Sequence, residues 1–442
     1  MVRHSDDGVP PAGFLAAWNE SIGARGVPAL PRRRGAKPRV PLPNLLAALT
    51  YHTMQSAGTL AEHFAELFSD ALVDSSCTDR RARLPWDIFA DLMRHVLRPR
   101  ATRRHRDAFW REWRVVALDG TTFSLTNTPQ VRARVRKART RRGRAAFAKM
   151  TTAVLLEVGL HNPLAAAIGR HGESEWALAQ RLLAQLPKRA LLLGDRLYGV
   201  AAFVVHAQAA CARVCSHFLV RASRSTKPRV IKRLPDGTRL VAIALRTRQR
   251  PATITDWLEL REIRVRVGRR GHRGHEVRLW TSLVDPHHAP ALELAQLYTQ
   301  RWEHELYFRE LKRQVRKTDV LQSHTVGTAA QEIAALVMVS ALLAAERARA
   351  AGGQVPPLQI SFSKLLERCI KPMWTYLDLG RGVLTAQQTR TIMRRGYARA
   401  RTYVLAPRRP RSCPRAVRQP IQAWPRLLKP HATHGAMQFQ LV

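Results

Sequence analysis

The chain has 442 residues, 45% of them hydrophobic, enough for several packed units rather than one small core. Seventy-four Lys and Arg against 32 Asp and Glu leave a net charge of +42, which suits a densely anionic partner: nucleic acid first, a membrane surface or the ribosome as lesser alternatives. No run reaches the roughly 18 uninterrupted apolar residues of a membrane span, and the opening MVRHSDDGVPPAG has no secretory apolar segment. A cytoplasmic, nucleoid-associated protein with no membrane partner is expected.

Residues 1–105 predict a helical domain. Leu45–Leu49, Leu60–Phe68 and Trp86–Leu97 have helical length, with Thr59 as an N-cap and the polar SDALVDSSCTDRR read as a turn-like break in which Ser75 or Ser76 could begin another helical turn. Short helices with basic connections suit a DNA-binding domain and equally suit any small bundle. The five cysteines (Cys77, Cys211, Cys215, Cys369, Cys413) lack zinc-like spacing; Cys211 and Cys215, four apart in an alanine-rich run, predict buried thiols on one helix face.

From residue 106 to 224 the pattern changes. Val115–Leu118 is a short apolar run ending in Asp119-Gly120, followed by nine cations and no acid between Arg132 and Lys149. Thr151–Val158 and Leu164–Ile168 flank a turn at His161-Asn162-Pro163, Glu173–Leu186 is an amphipathic helix, and Ala190–Leu193 ends in Gly194-Asp195. Strand, strand, strand, helix, strand, with an aspartate just past the first and fourth strands, is the order of a ribonuclease-H-like core. Taken alone, Asp119 is as good a turn residue and Asp195 as good a helix cap.

Residues 225–285 predict a separate β-rich unit, with a turn at Leu234–Gly237 and strict alternation from Arg261 to Val267. His272 and His275 lie on its glycine-rich turn with no third ligand nearby. Residues 286–385 contain YTQRWEHELYFRELK. At about 100° per residue, Tyr298, Arg301, Glu305, Phe308 and Lys312 share one stripe, bordered by Leu297, Leu311 and Val315 on one side and by Trp302 and Leu306 on the other. A charged stripe framed by apolar residues points inward, at a cost that a bound ion or function would offset. An exposed Arg301–Glu305 pair is the plain alternative. Residues 386–442 form a basic C-terminal region, whose APRRPRSCPR stretch has too much proline and charge to pack.

Tyr298-x2-Arg301-x3-Glu305-x6-Lys312 resembles, with every spacing intact, the YREK signature of the insertion-sequence-four family of bacterial transposases. LDGTTFSL around Asp119 and LLLGDRLYG around Asp195 resemble that family's two aspartate motifs. DSSCTDRRARLPWDIFADLM (74–93) is similar to its DNA-binding region, and QSHTVGTAAQEIAALVM (322–338) to the helix after the catalytic one. The resemblance covers roughly residues 45–345. It implies a mixed α/β chain with a ribonuclease-H-like catalytic core, an all-β insertion and a helical N-terminal domain.

It further implies that Asp119, Asp195 and Glu305 are the catalytic and metal-binding carboxylates, holding two Mg²⁺ ions with Mn²⁺ as a substitute. Tyr298 and Arg301 would grip the phosphate next to the cut, and Lys312 the DNA end. Partners would be double-stranded DNA (terminal inverted repeats and target), with a homodimer in the DNA complex. Trp257 and Trp280 are candidates for stacking on a flipped base, with core packing the plainer role for both. The activity implied is metal-dependent DNA cleavage and strand transfer; the alternatives are an inactive or repurposed DNA-binding protein and a nuclease without strand transfer.

Overall fold

A computed structural model of the chain describes residues 12–28, 30, 40–55, 57–70, 72–140, 143–247, 252–267 and 275–406. Five helices come first: α1 (Gly13–Ile22), α2 (Leu42–His52), α3 (Leu60–Phe68), α4 (Asp74–Ala82) and α5 (Trp86–Val96). Thr59 and Glu62 close a reciprocal capping box on α3. Helix α4 lies where the sequence reads as a break. It buries only Cys77, so it shows no apolar period; tertiary contacts hold it instead. Arg81 donates to the Thr328 carbonyl at 2.7 Å and to Ser323 Oγ at 2.8 Å.

The strands follow: β1 (Phe109–Trp110), β2 (Trp113–Ser124), β3 (Arg139–Thr140), β4 (Gly143–Arg144), β5 (Lys149–Glu157), β6 (Asn162–Ile168), β7 (Ala190–Gly194), β8 (His217–Arg221), β9 (Arg229–Arg233), β10 (Arg239–Arg246), β11 (Ile254–Val267) and β12 (His275–Thr281). Helix α6 (Pro129–Arg134) follows β2, α7 (Glu175–Leu182) follows β6, and α8 (Ala201–Arg213) follows β7. Among the described residues one ten-stranded mixed sheet dominates, in the order β6-β5-β2-β7-β8-β12-β11-β10-β9, with β1 beside β2. The β2–β7 and β7–β8 pairs are parallel and the others antiparallel. Residues 225–285 therefore extend the central sheet instead of building one of their own: Leu279, Trp280 and Thr281 of β12 pair with β8.

Alternation along the strands sorts the core into two layers. Val116, Leu118 and Leu192 face α7 and α8, packing with Leu178, Leu182, Phe203 and Val204. Val115, Ala117, Leu191 and Leu193 face the opposite way, onto Leu294 and Leu297 of α9 (Ala291–Tyr298). Helix α9 runs on through a tight turn at Thr299–Arg301 into α10 (Trp302–Arg309) and a wide π turn at Glu310–Arg316, stopped by Lys317 in the left-handed region.

Helix α11 (Val326–Ala351) has the length and hydropathy of a membrane span, but nearly all of it is buried inside the protein. It forms one core with α1, α2, α5 and the last helices, α12 (Phe362–Leu365), α13 (Lys371–Leu379) and α14 (Ala386–Arg401). The basic C-terminal region thus begins as a docked helix: Tyr397 donates to Glu346 of α11 at 2.7 Å. APRRPRSCPR beyond Ala406, Cys413, Arg141, Arg142, His272 and the side chain of His275 lie outside the described residues.

Two smaller expectations fail. Cys211 is buried, but Cys215 lies past the end of α8 in the left-handed region and is exposed. Trp280 is fully buried and donates to Glu262, whereas Trp257 is 39% exposed under the Arg229 guanidinium. Core packing describes the first tryptophan and not the second.

Candidate active site

Register fixes where the two aspartates sit. Leu118 pairs with Gly194 across the parallel β2–β7 ladder, so Asp119 and Asp195 emerge side by side at the same end of adjacent strands. Asp119 shares the strand parity of Val115 and Ala117 and therefore faces the α9–α10 rod. Its Oδ1 accepts from the Gly120 amide at 2.8 Å; Asp195 Oδ1 accepts from Leu197 at 2.7 Å, which shapes the turn after β7.

The rod is pinned over this point by two bonds. Tyr298 OH donates to the Gly194 carbonyl at 3.1 Å, one residue before Asp195. His304 Nε2 meets the carbonyl of Val154 at 3.0 Å, and Val154 is the cross-strand partner of Asp119. Burial drives His304 down to about 3, so the ring is neutral and donates from Nε2. Glu305 follows directly. Arg301 stands between the acids, 3.5 Å from Asp119 Oδ2 and 2.9 Å from Glu305 Oε1.

The inward reading of the helical stripe thus describes Arg301, whose side chain is 17% exposed, better than Glu305, whose side chain is 39% exposed. Uniform helical geometry does not describe the whole rod. Phe308 is part of the core, and Lys312 lies within the π turn, where Nζ donates to Thr121 Oγ1 at 2.6 Å and to the Thr122 carbonyl at 2.8 Å. Behind the rod, Glu310 is buried as well. Glu310 is held between His161 Nδ1 at 2.6 Å and Arg347 at 3.1 Å, and Glu303 meets His161 Nε2 at 3.0 Å.

Electrostatics single out Asp119. Burial pushes its carboxyl up to about 7, helped by the charges of Asp195 and Glu175 and opposed by the Gly120 amide and Arg301. Tyr298 is raised to about 12, chiefly by burial. Lys312 falls to about 8 through burial and the neighbouring Arg316, Lys149 and Arg313. A buried carboxylate beside a second one calls for a cation, and clustered hard oxygens suit a divalent one. Among the described residues no three His, Cys, Asp or Glu side chains converge on one point. The Arg301 guanidinium bridges Asp119 and Glu305 in place of such a convergence.

One acid escaped the sequence reading. Glu175, first residue of α7, accepts from Tyr198 OH at 2.9 Å and packs over Gly120, where any Cβ would overlap its carboxylate. Burial raises it, and Asp195 adds to the shift. Its only trace in the sequence is the glycine after Asp119, which leaves room for it.

The family model for the transposase DDE domain matches residues 110–342, which span both aspartates and the rod. Over 315 residues the chain is 24% identical to the transposase InsG for insertion sequence element IS4 of Escherichia coli (strain K12), covering 70% of this chain and 69% of that protein. Among solved structures, the piggyBac transposase synaptic complex with hairpin DNA aligns over 88% of this chain and 80% of its own, at a TM-score of 0.43 and 9% identity. With the domain match covering more than half of its length, the chain belongs to the DDE transposases, a DNA-acting family dependent on divalent metal, and within them to the insertion-sequence-four type.

Proposed function

We propose that this transposase cuts and joins DNA at a centre formed by Asp119, Asp195 and Glu305 on a ribonuclease-H-like core. The observation that carries the proposal is the placement of two aspartates on adjacent parallel strand ends, beneath a rod whose Arg301 links Asp119 to Glu305. The strand order β6-β5-β2-β7-β8, antiparallel for the first three and then parallel, with α7 between β6 and β7, supports the assignment of the core.

Cleavage and joining are in-line displacements at phosphorus. Water attacks the scissile phosphate and expels a 3′-hydroxyl; that hydroxyl then attacks a target phosphate and expels another 3′-oxygen. Two Mg²⁺ ions, replaceable by Mn²⁺, would activate the entering oxygen and stabilise the leaving one. The chain supplies the rest. Asp119, Asp195 and Glu305 provide hard anionic ligands. Arg301, which here neutralises two of them, is the guanidinium placed to clasp a non-bridging phosphate oxygen. Tyr298 fixes the rod to β7 through its hydroxyl, and the family resemblance gives it a share in that clasp. Lys312, beyond Asp119, meets the DNA end.

Terminal inverted repeats and target DNA are the two substrates, and the net charge of +42 supports residence on the nucleoid in the cytoplasm. Two ends cut together call for two centres, which a homodimer assembled on DNA provides, as the family resemblance implies. The test is Mg²⁺-dependent nicking of duplexes that carry the element's ends. Asp119→Ala, Asp195→Ala and Glu305→Ala should each abolish nicks while leaving end binding intact. Full cleavage by any one of them overturns the centre. Tight binding without nicks by the unaltered chain would leave a DNA-binding protein only.

A further inference from the structure

The strand ends carry a second group of charges that the three carboxylates do not use. Gly194 pairs with Val220 across β7–β8, so Arg221 emerges beside Asp195 at the same level. Leu279 pairs with Arg221, which sets Arg278 one residue further out, and Arg278 pairs in turn with Arg264. Together with Arg196 and Arg224 these side chains line a cleft of about 320 Å³ whose only acidic wall residue among the described residues is Glu276.

This arrangement opposes the stability of the fold. Arg264 and Arg278 are like charges directly opposite on adjacent strands, a destabilising pair. Buried Glu262 offsets part of the repulsion, 2.7 Å from Arg264 Nε and 3.7 Å from Arg278 Nε. Glu276 stands 3.8 Å from Arg264. Arg196, Arg221 and Arg224 have no carboxylate partner among the described residues. A concave wall with more guanidiniums than acids suits an anion with several oxygens, and a phosphodiester offers that geometry.

Position gives the anion its source. Across the sheet the order runs β5, β2, β7, β8, β12, β11. Lys149 and Lys312 lie on the Asp119 side of the centre, and the arginine cleft on the Asp195 side. The scissile phosphate joins two nucleotides, so the DNA strand leaves the centre in two directions. We propose that the arginine cleft is a second phosphodiester site, which takes the backbone of the flanking DNA across the scissile phosphate from the end held at Lys312. The proposal rests on the reading of Asp119, Asp195 and Glu305 as the cutting centre.

The test uses the full chain and two metal-free duplexes, one ending at the element boundary and one continuing into the flank. Arg221→Gln/Arg224→Gln should bind the longer duplex roughly tenfold more weakly, with the salt slope reduced by about two, and bind the shorter one as before. Arg264→Gln, on the other wall, should show the same preference more weakly. Lys188→Gln, at the opposite end of the sheet, should change neither duplex, and it and Arg221→Gln/Arg224→Gln should melt as the parent does, whereas Arg264→Gln also removes a partner of buried Glu262 and is read only on binding. Equal weakening on both duplexes, or on neither, overturns the cleft. A defect confined to joining precut ends would assign it to target DNA and overturn the flank. Nicking by Asp119→Ala would instead sink the cutting centre, so the two failures can be told apart.

Discussion

The glycine of the DRLYG segment joins the centre to the arginine cleft, and replacing it by alanine gives a defined perturbation. A Cβ on Gly199 would overlap the carbonyl oxygen of Arg221 and stand 2.7 Å from the Arg221 carbonyl carbon and 3.0 Å from Ala222 Cα. Carbon atoms settle at about 3.5–4.0 Å, and backbone cannot turn aside as a side chain can. Either the end of β8 moves outward or the turn after β7 lifts away. Overpacking of this kind costs about 1–3 kcal/mol. Loss of the 2.8 Å bond from the Ser223 amide to the Gly199 carbonyl adds about 1 kcal/mol. Gly199→Ala should therefore lose about 2–4 kcal/mol in urea unfolding without a change of slope, a large share of a typical 5–15 kcal/mol. The same shift drags Asp195 and Arg221 from their places, so nicking should fall further than stability does. A folded Gly199→Ala protein within about 0.5 kcal/mol of the parent and with full nicking would refute the close approach.

Two other outcomes follow from the rod. Glu310→Gln leaves Arg347 and His161 buried without their shared anion and should cost about 3–5 kcal/mol in thermal or urea unfolding. Against the cost of burial, His161 and Arg347 hold Glu310 at about 2 instead of 4.5, so its contribution is present above pH 4.5 and disappears as pH falls towards 2. The variant should lose that acid limb, and an unchanged acid profile would count against the network. Lys312, brought down to about 8, sheds its charge in the free protein as pH rises past that value, so DNA-end binding should weaken there. Lys312→Arg stays charged and should bind at about pH 9 as it does at neutrality; parallel decline in both proteins would remove Lys312 from the end-binding surface.

Legibility followed the range of the forces involved. The strands around Val115–Leu118 and Ala190–Leu193 were readable because a fully buried strand needs a continuous apolar run, whatever it packs against. The N-cap at Thr59 was readable because its bond to the Glu62 amide spans only three residues. Helix α4 was legible only as a helical turn that Ser75 or Ser76 could begin, because Arg81 reaches α11, nearly 250 residues away in sequence. The extension of the sheet by β12 was hidden for the same reason: alternation from Arg261 to Val267 predicts a strand and leaves its neighbour open.

The site divides along the same line, and the division explains what each motif does. A helical wheel assumes one period, and on that assumption Glu310 faces away from the centre towards solvent. His161 and Arg347 bury Glu310, and the rod widens into a π turn from that residue onward. Widened turns are concentrated at functional sites because they re-aim the side chains that follow. Here the first cation to follow is Lys312, which lands on Thr121 and Thr122, two and three residues beyond Asp119. The x6 spacing between Glu305 and Lys312 therefore measures a turn and a bulge, with the clamp at Glu310 setting the bulge. The Glu310→Gln protein should accordingly bind the DNA end more weakly even where it remains folded, because the cation that meets the end is aimed from behind the rod.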